Sequence, residues 1–180
     1  MNKEIKSLDF ELKEIDENGT FSGYGSLFWT APDSYNDVIA QGAFTKTLAA
    51  GGRNKNQIMM CWNHNSSSIP GVWTSLTQDA KGLKVEGRLA ILSSLGRDLY
   101  ELMRVGVGIG LSIGYNAIDS DFDNATKIRT LKEIELFEIS LVSFPAQTSA
   151  GVTGYKHGDL SFAEQILEAA KELNANTWRN

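Results

Sequence analysis

Ser112 stands between two glycines in the segment Val107-Gly108-Ile109-Gly110-Leu111-Ser112-Ile113-Gly114-Tyr115. Strand alternation would put Ile109, Leu111, Ile113 and Tyr115 on one face and Gly110, Ser112 and Gly114 on the other. Glycine weakens a strand interior, so two of them framing one hydroxyl imply that something approaches that face closely. A substrate chain reaching a nucleophilic serine is one reading. A strand crossing a helix or turning a barrel corner, where only small residues pack, is the other, and glycine by itself more often marks such corners.

A serine hydroxyl is a weak nucleophile unless a base takes its proton. His64 ends the run QIMMCWNH (57–64), which reads as a strand with Ile58, Met60, Trp62 and His64 on one face. An imidazole between an apolar strand face and a polar loop is suited to accepting a proton near neutral pH. A histidine held there only for structural hydrogen bonding is the competing reading. A third group should orient such a base. In KEIELFEISLV (132–142), alternation groups Ile134, Leu136, Glu138, Ser140 and Val142 against Glu133, Glu135, Phe137, Ile139 and Leu141. Glu138 is then the carboxylate most embedded among apolar neighbours, and burying it demands a partner. An imidazole would serve, and so would a cross-strand lysine or arginine.

These residues need elements to carry them. Residues 5–28 alternate around Glu17-Asn18-Gly19, which predicts a hairpin. Residues 42–50 have helical composition and run into Gly51-Gly52. A second hairpin is expected over 72–90 around Asp79-Ala80-Lys81-Gly82. Ser93 or Ser94 can cap a helix through Arg97, Leu99, Leu102 and Met103 that stops at Gly106. Strands are expected over 110–118 and over 127–142, the latter as one long strand or two, with Pro145 closing it. Finally, Phe162, Ile166, Leu167, Ala170 and Leu173 fall at helical spacing over 160–173, behind a Gly-rich stretch at 150–158. The pattern predicts a mainly β domain with flanking helices (α+β), closed or nearly closed into a barrel.

Residues 110–114 also spell G-x-S-x-G, the nucleophile elbow of α/β-hydrolases. That motif requires a helix directly after the serine and the order serine, acid, histidine. Here IGYNAIDSDFDN follows as strand and acidic turn, and the histidine downstream, His157, lies in the Gly-rich stretch. The match is therefore coincidental.

Composition sets outer bounds. The chain has 180 residues, 42% hydrophobic and 22% charged, which suits one globular core. A net charge of −5 argues against a nucleic-acid partner, since phosphate binding needs clustered Lys and Arg. Cys61 stands alone, and residues 1–15 lack the apolar core of a signal peptide, so an intracellular protein is expected. No run approaches the roughly 18 apolar residues of a membrane helix. Two histidines and one cysteine leave a zinc site short of its usual ligands, and no metal or cofactor is expected.

Seven pieces occur in a fixed order: FSGYGSLF (21–28), DVIAQGAF (37–44), WNH (62–64), IPG (69–71), GLKVEG (82–87), GLSIGY (110–115) and EISLVSFPA (138–146). In that order, over residues 10–152, the chain resembles the prohead maturation protease family of tailed bacteriophages. The resemblance implies a serine endopeptidase with a β-barrel of the herpesvirus-protease type. It implies a protease domain over 1–152, with 153–180 left as Gly-rich linker and C-terminal amphipathic helix. Such an enzyme would act in the bacterial host cytoplasm, inside the procapsid. It would cleave scaffolding protein or the scaffold-like region of the major capsid protein, and then itself; self-association into a homo-oligomer is a further partner expectation.

Carried over by position, His64 resembles the family's base, Ser112 its nucleophile and Glu138 its third member. Backbone N–H groups near Ser143 and Phe144, or in the glycines before Ser112, would hold the oxyanion. Asn65 departs from the pattern, in which the residue after the histidine is often acidic. Two other functions fit the same residues: a non-catalytic assembly or scaffold protein using the barrel surface, and a small-molecule esterase using His157.

Overall fold

A computed structural model of the chain describes residues 15–52, 58–143 and 151–152. Its strands are β1 (Thr20–Leu27), β2 (Asp37–Ile39), β3 (Met59–Trp62), β4 (Gly71–Gln78), β5 (Gly82–Leu89), β6 (Gly110–Phe122), β7 (Arg129–Val142) and β8 (Gly151–Val152). Two helices, α1 (Thr45–Ala49) and α2 (Ser94–Arg104), complete the described elements. All the strands belong to one mainly antiparallel sheet in the order β2-β7-β6-β8-β1-β5-β4, with β3 pairing β7 beside β2. The ladder path has two ends. The Trp73 indole N–H of β4 is nevertheless shared between the carbonyls of Met59 and Ile139, both at 3.3 Å, so a side chain ties β4 to β3 and β7.

The expected hairpin over 72–90 is β4 and β5, turned by Asp79, whose Oδ1 accepts the N–H groups of Lys81 (2.7 Å) and Gly82 (3.0 Å). The Ser93 hydroxyl caps α2 by accepting from Gly96 N (3.1 Å), and Gly106 ends it at φ 86°. Leu99 and Met103, one turn apart, bury the inward stripe of α2. The helix expected over 42–50 is the short α1. The turn at residues 17–18 precedes β1, whereas the first strand of the expected 5–28 hairpin lies outside the described residues. So do the helix expected over 160–173, Phe144, Pro145 and His157.

The core is built from Phe21, Met60, Trp73, Leu83, Val85, Leu111, Ile134, Leu136, Ile139 and Leu141, with α1 and α2 packed at its margins. Phe21 meets Trp73 edge to face at 5.6 Å. Gly87 makes that contact feasible, because a Cβ there would lie 2.8 Å from Phe21 and 2.9 Å from Trp73.

The long β6–β7 ladder corrects the sequence expectation. Gly114 pairs with Glu138 while Tyr115 pairs with Leu136, so β7 carries one extra residue, Phe137. This bulge changes which face the alternate residues occupy. Before it Ile134 and Leu136 enter the core; after it Ile139 and Leu141 do. Glu138 and Ser140 therefore do not share a face with Ile134 and Leu136. They lie on the opposite face, in register with Gly114 and Ser112. The N–H of Leu136 beside the bulge is taken by the Thr47 hydroxyl of α1 at 3.1 Å.

Candidate active site

Three adjacent strands meet at the bulge end of β7. β6 brings Ser112 opposite Ser140, and β3 runs parallel on the other edge with Met59 opposite Glu138 and Cys61 opposite Ser140. β3 stops at Trp62, two residues earlier than expected, so His64 is not the end of a strand. Asn63 and His64 sit at φ 49° and 60°, and Asn65 N donates to Trp62 O at 3.1 Å, the pattern of a type I′ turn. Asparagine and histidine are among the non-glycine residues that enter the left-handed region most often, though any such conformation is uncommon and persists where its surroundings enforce it. The turn reverses the chain and carries His64 away from the core face of Met60 and Trp62, over the face that holds Glu138 and Ser112.

The result is a continuous line of contacts. His64 Nδ1 lies 2.6 Å from Glu138 Oε1, and His64 Nε2 lies 3.1 Å from Ser112 Oγ. With the carboxylate ionised, Nδ1–H donates to Glu138 and the Nε2 lone pair accepts the Ser112 proton. The imidazole is about half-exposed, with a side-chain accessibility of 47% against 15% for Glu138. Ser112 is 9% exposed. Among the described residues no buried side-chain nitrogen or oxygen lacks a hydrogen-bond partner. All three residues singled out in the sequence are thus brought together, and Glu138 is held by His64 and Ser140 rather than by the lysine or arginine of the alternative.

Gly114 acquires a different explanation from the one its spacing suggested. A Cβ at this position would overlap the Glu138 carboxylate, so the bare backbone makes room for the acid. Neither substrate approach nor a barrel corner is required to account for it. Asn65, where the family pattern is often acidic, serves the loop: its Oδ1 accepts from Ser67 N (3.0 Å) and its carbonyl from Ser68 N (2.9 Å).

Ser112 and His64 open onto a cleft of about 720 Å³ whose far wall includes Asp37, Tyr115 and Arg129. Asp37 is buried and receives Arg129 Nε at 2.8 Å, Arg129 Nη2 at 2.5 Å and the Tyr115 hydroxyl at 2.9 Å. Burial, then the bond to Asp37, holds the Tyr115 phenol well above its ordinary range. The bond to Asp37 likewise raises the Arg129 guanidinium further. Near the triad, burial and then the charge of Glu138 push the Cys61 thiol up. Sequence reasoning had assigned no role to Asp37, Arg129 or Ser140. The first two lie in different segments, 92 residues apart, and only the fold joins them.

A family model described as caudovirus prohead serine protease matches residues 6–161. The chain is 36% identical over 162 residues to the prohead protease of Enterobacteria phage HK97, covering 86% of this chain and 70% of that protein. It is 32% identical over 141 residues to the prohead protease of Escherichia phage T5, covering 78% of this chain and 64% of the relative. Among solved structures, the capsid assembly protease of bacteriophage T4 superposes with a TM-score of 0.50 at 12% identity, over 68% of this chain and 80% of that one, a likeness of fold.

Proposed function

The chain belongs to the caudovirus prohead serine protease family, a family of capsid-maturation proteases, and on that premise we propose that it is a serine endopeptidase working through Ser112, His64 and Glu138. The observation that carries the proposal is the unbroken Ser112–His64–Glu138 line at 3.1 and 2.6 Å, assembled from β6, β7 and the turn that follows β3. His64 removes the Ser112 proton as Oγ attacks a peptide carbonyl, and Glu138 stabilises the imidazolium that forms. The imidazolium then protonates the leaving amine. Water, deprotonated by the same nitrogen, hydrolyses the acyl-enzyme and restores the serine.

For the oxyanion, Ser143 N–H already donates to Asn63 Oδ1 at 3.4 Å. That favours the glycine-bearing approach to β6 as the source of backbone donors. The same reading takes the sheet as a nearly closed barrel of the herpesvirus-protease type. Its support is the Trp73 bridge between β4 and β3. The substrates are proposed to be scaffolding protein or the scaffold-like part of the major capsid protein, followed by the protease itself, within the procapsid. A capsid polyprotein of Pseudomonas phage PAJU2 is also similar to this chain, 27% identical over 164 residues and matched over 22% of its own length.

The test is co-expression with the cognate capsid protein, followed by mass spectrometry of the fragments. Fragments that vanish in Ser112→Ala and His64→Ala but persist in His157→Ala are expected. Cleavage surviving Ser112→Ala would overturn the assignment, and a chain that binds capsid protein without cutting it would be an assembly factor instead.

A further inference from the structure

We propose that Ser140 is a positioning residue that locks both partners of the nucleophile, an inference that rests on the triad assignment above. Its hydroxyl has one proton to give and lone pairs to receive. The proton goes to Glu138 Oε2 at 2.6 Å, and the oxygen accepts the backbone N–H of His64 at 3.0 Å. Both contacts are specific to the site. Glu138 spends Oε1 on His64 Nδ1, so a free Oε2 would leave the carboxylate able to rotate about its χ3, a broad and weakly restrained torsion. Ser140 removes that freedom.

The second contact addresses the turn. His64 holds φ 60°, a left-handed conformation that is uncommon outside glycine, and its N–H has to be satisfied from outside the turn. Ser140 supplies the acceptor from the central strand. One side chain therefore couples the orientation of the acid to the placement of the base. It sits between them without reaching substrate, since it is fully buried at 0% exposure whereas Ser112, directly opposite, lines the cleft. The Phe137 bulge is what makes this arrangement available. Without the extra residue Ser140 would face the core.

The experiment compares Ser140→Ala, Ser140→Cys and Ser140→Thr in the full chain. Its readouts are the rate at which Ser112 is labelled by a fluorophosphonate, kcat and KM on a cleaved capsid fragment, thermal melting, and the downfield proton resonance of His64 Nδ1–H. A misplacement of about 1 Å among reacting groups costs up to about 100-fold in rate. Ser140→Ala should lower labelling and kcat by that factor with KM within about twofold, and should shift or broaden the Nδ1–H resonance. Ser140→Thr, which retains the hydroxyl, should recover most of the rate, and Ser140→Cys, a weak donor of similar size, should fall between. Should Ser140→Ala fail to fold, the Cys-against-Thr difference in the same readouts decides. Wild-type labelling with an unchanged resonance in Ser140→Ala, or a loss in all three variants that merely follows melting temperature, would overturn the proposal. Labelling that persists in His64→Ala would instead overturn the triad assignment, so the two failures are distinct.

Discussion

Two carboxylates serve one cleft, Asp37 in its lining and Glu138 behind His64, and their partners separate their uses. Asp37 is gripped by a guanidinium through two nitrogens and by a phenol, groups that hold their charge states across the whole working pH range. Glu138 is gripped by a hydroxyl and by an imidazole, which carries one nitrogen toward the acid and one toward Ser112. A buried acid locked to arginine holds structure in place. The same acid locked to histidine can serve chemistry, because the pair passes between charge states as a proton moves.

Substitutions break this contrast in order of size. Ser112→Ala or His64→Ala should abolish cleavage, a loss of about 10⁴- to 10⁶-fold, while melting stays close to wild type. Glu138→Gln keeps shape but no longer favours the donating Nδ1 tautomer, and should cost about 10²- to 10⁴-fold in kcat with KM little changed. Gly114→Ala pushes a methyl into the Glu138 carboxylate and should reduce the rate of Ser112 labelling by up to about 100-fold by displacing the acid that orients His64. Each of these reads mainly in rate.

The Asp37 side should read mainly in stability. Arg129→Met leaves Asp37, with 1% side-chain exposure, without its counter-charge. A loss of about 3 kcal/mol is expected, as for other broken buried pairs. For a chain of this size that corresponds to roughly 6–12 °C of melting temperature. Tyr115→Phe removes one hydrogen bond and should cost about 1 kcal/mol. Its pH dependence follows from the raised phenol: the hydroxyl's contribution is complete below the ordinary tyrosine value of 10.0 and is lost as pH rises through the folded value. Wild type should therefore lose stability above about pH 10 more steeply than Tyr115→Phe, in melts followed by circular dichroism. Equal slopes would dissolve the comparison.

The sequence made much of this legible, and its failures share a cause. The 72–90 hairpin, the Ser93-capped helix and the strand bearing Ser112 follow from local signals: turn residues, caps and period-two alternation. Ser112, His64 and Glu138 were named from residue type and motif order, and the fold brings them within contact. What alternation could not register was the single extra residue at Phe137, because period-two reasoning carries one phase through a strand and has no symbol for a bulge. It therefore put Glu138 and Ser140 on the wrong face. Extending the strand to His64 was a similar error, since Asn63 and His64 offered no glycine to announce a type I′ turn. Gly114 was noticed correctly and explained incorrectly; the object that needed the space was 24 positions downstream, on the paired strand. Ser140 stood within the quoted EISLV motif, yet a serine two residues after a glutamate carries no signal until the turn bearing His64 is laid over it.

The mounting of His64 also bears on when the enzyme comes into being. Ser112 and Glu138 are brought together by neighbouring strands of one antiparallel pair, whereas His64 and Glu138 are 74 residues apart and meet only through the parallel β3–β7 pairing. Contacts that close such long loops carry the larger entropic cost and form slowly. On the proposed assignment, the nucleophile and the acid are thus joined by the more local pairing and the base by the less local one. On the same assignment, hydrolytic competence would arrive with the completed sheet, a delay written into its topology.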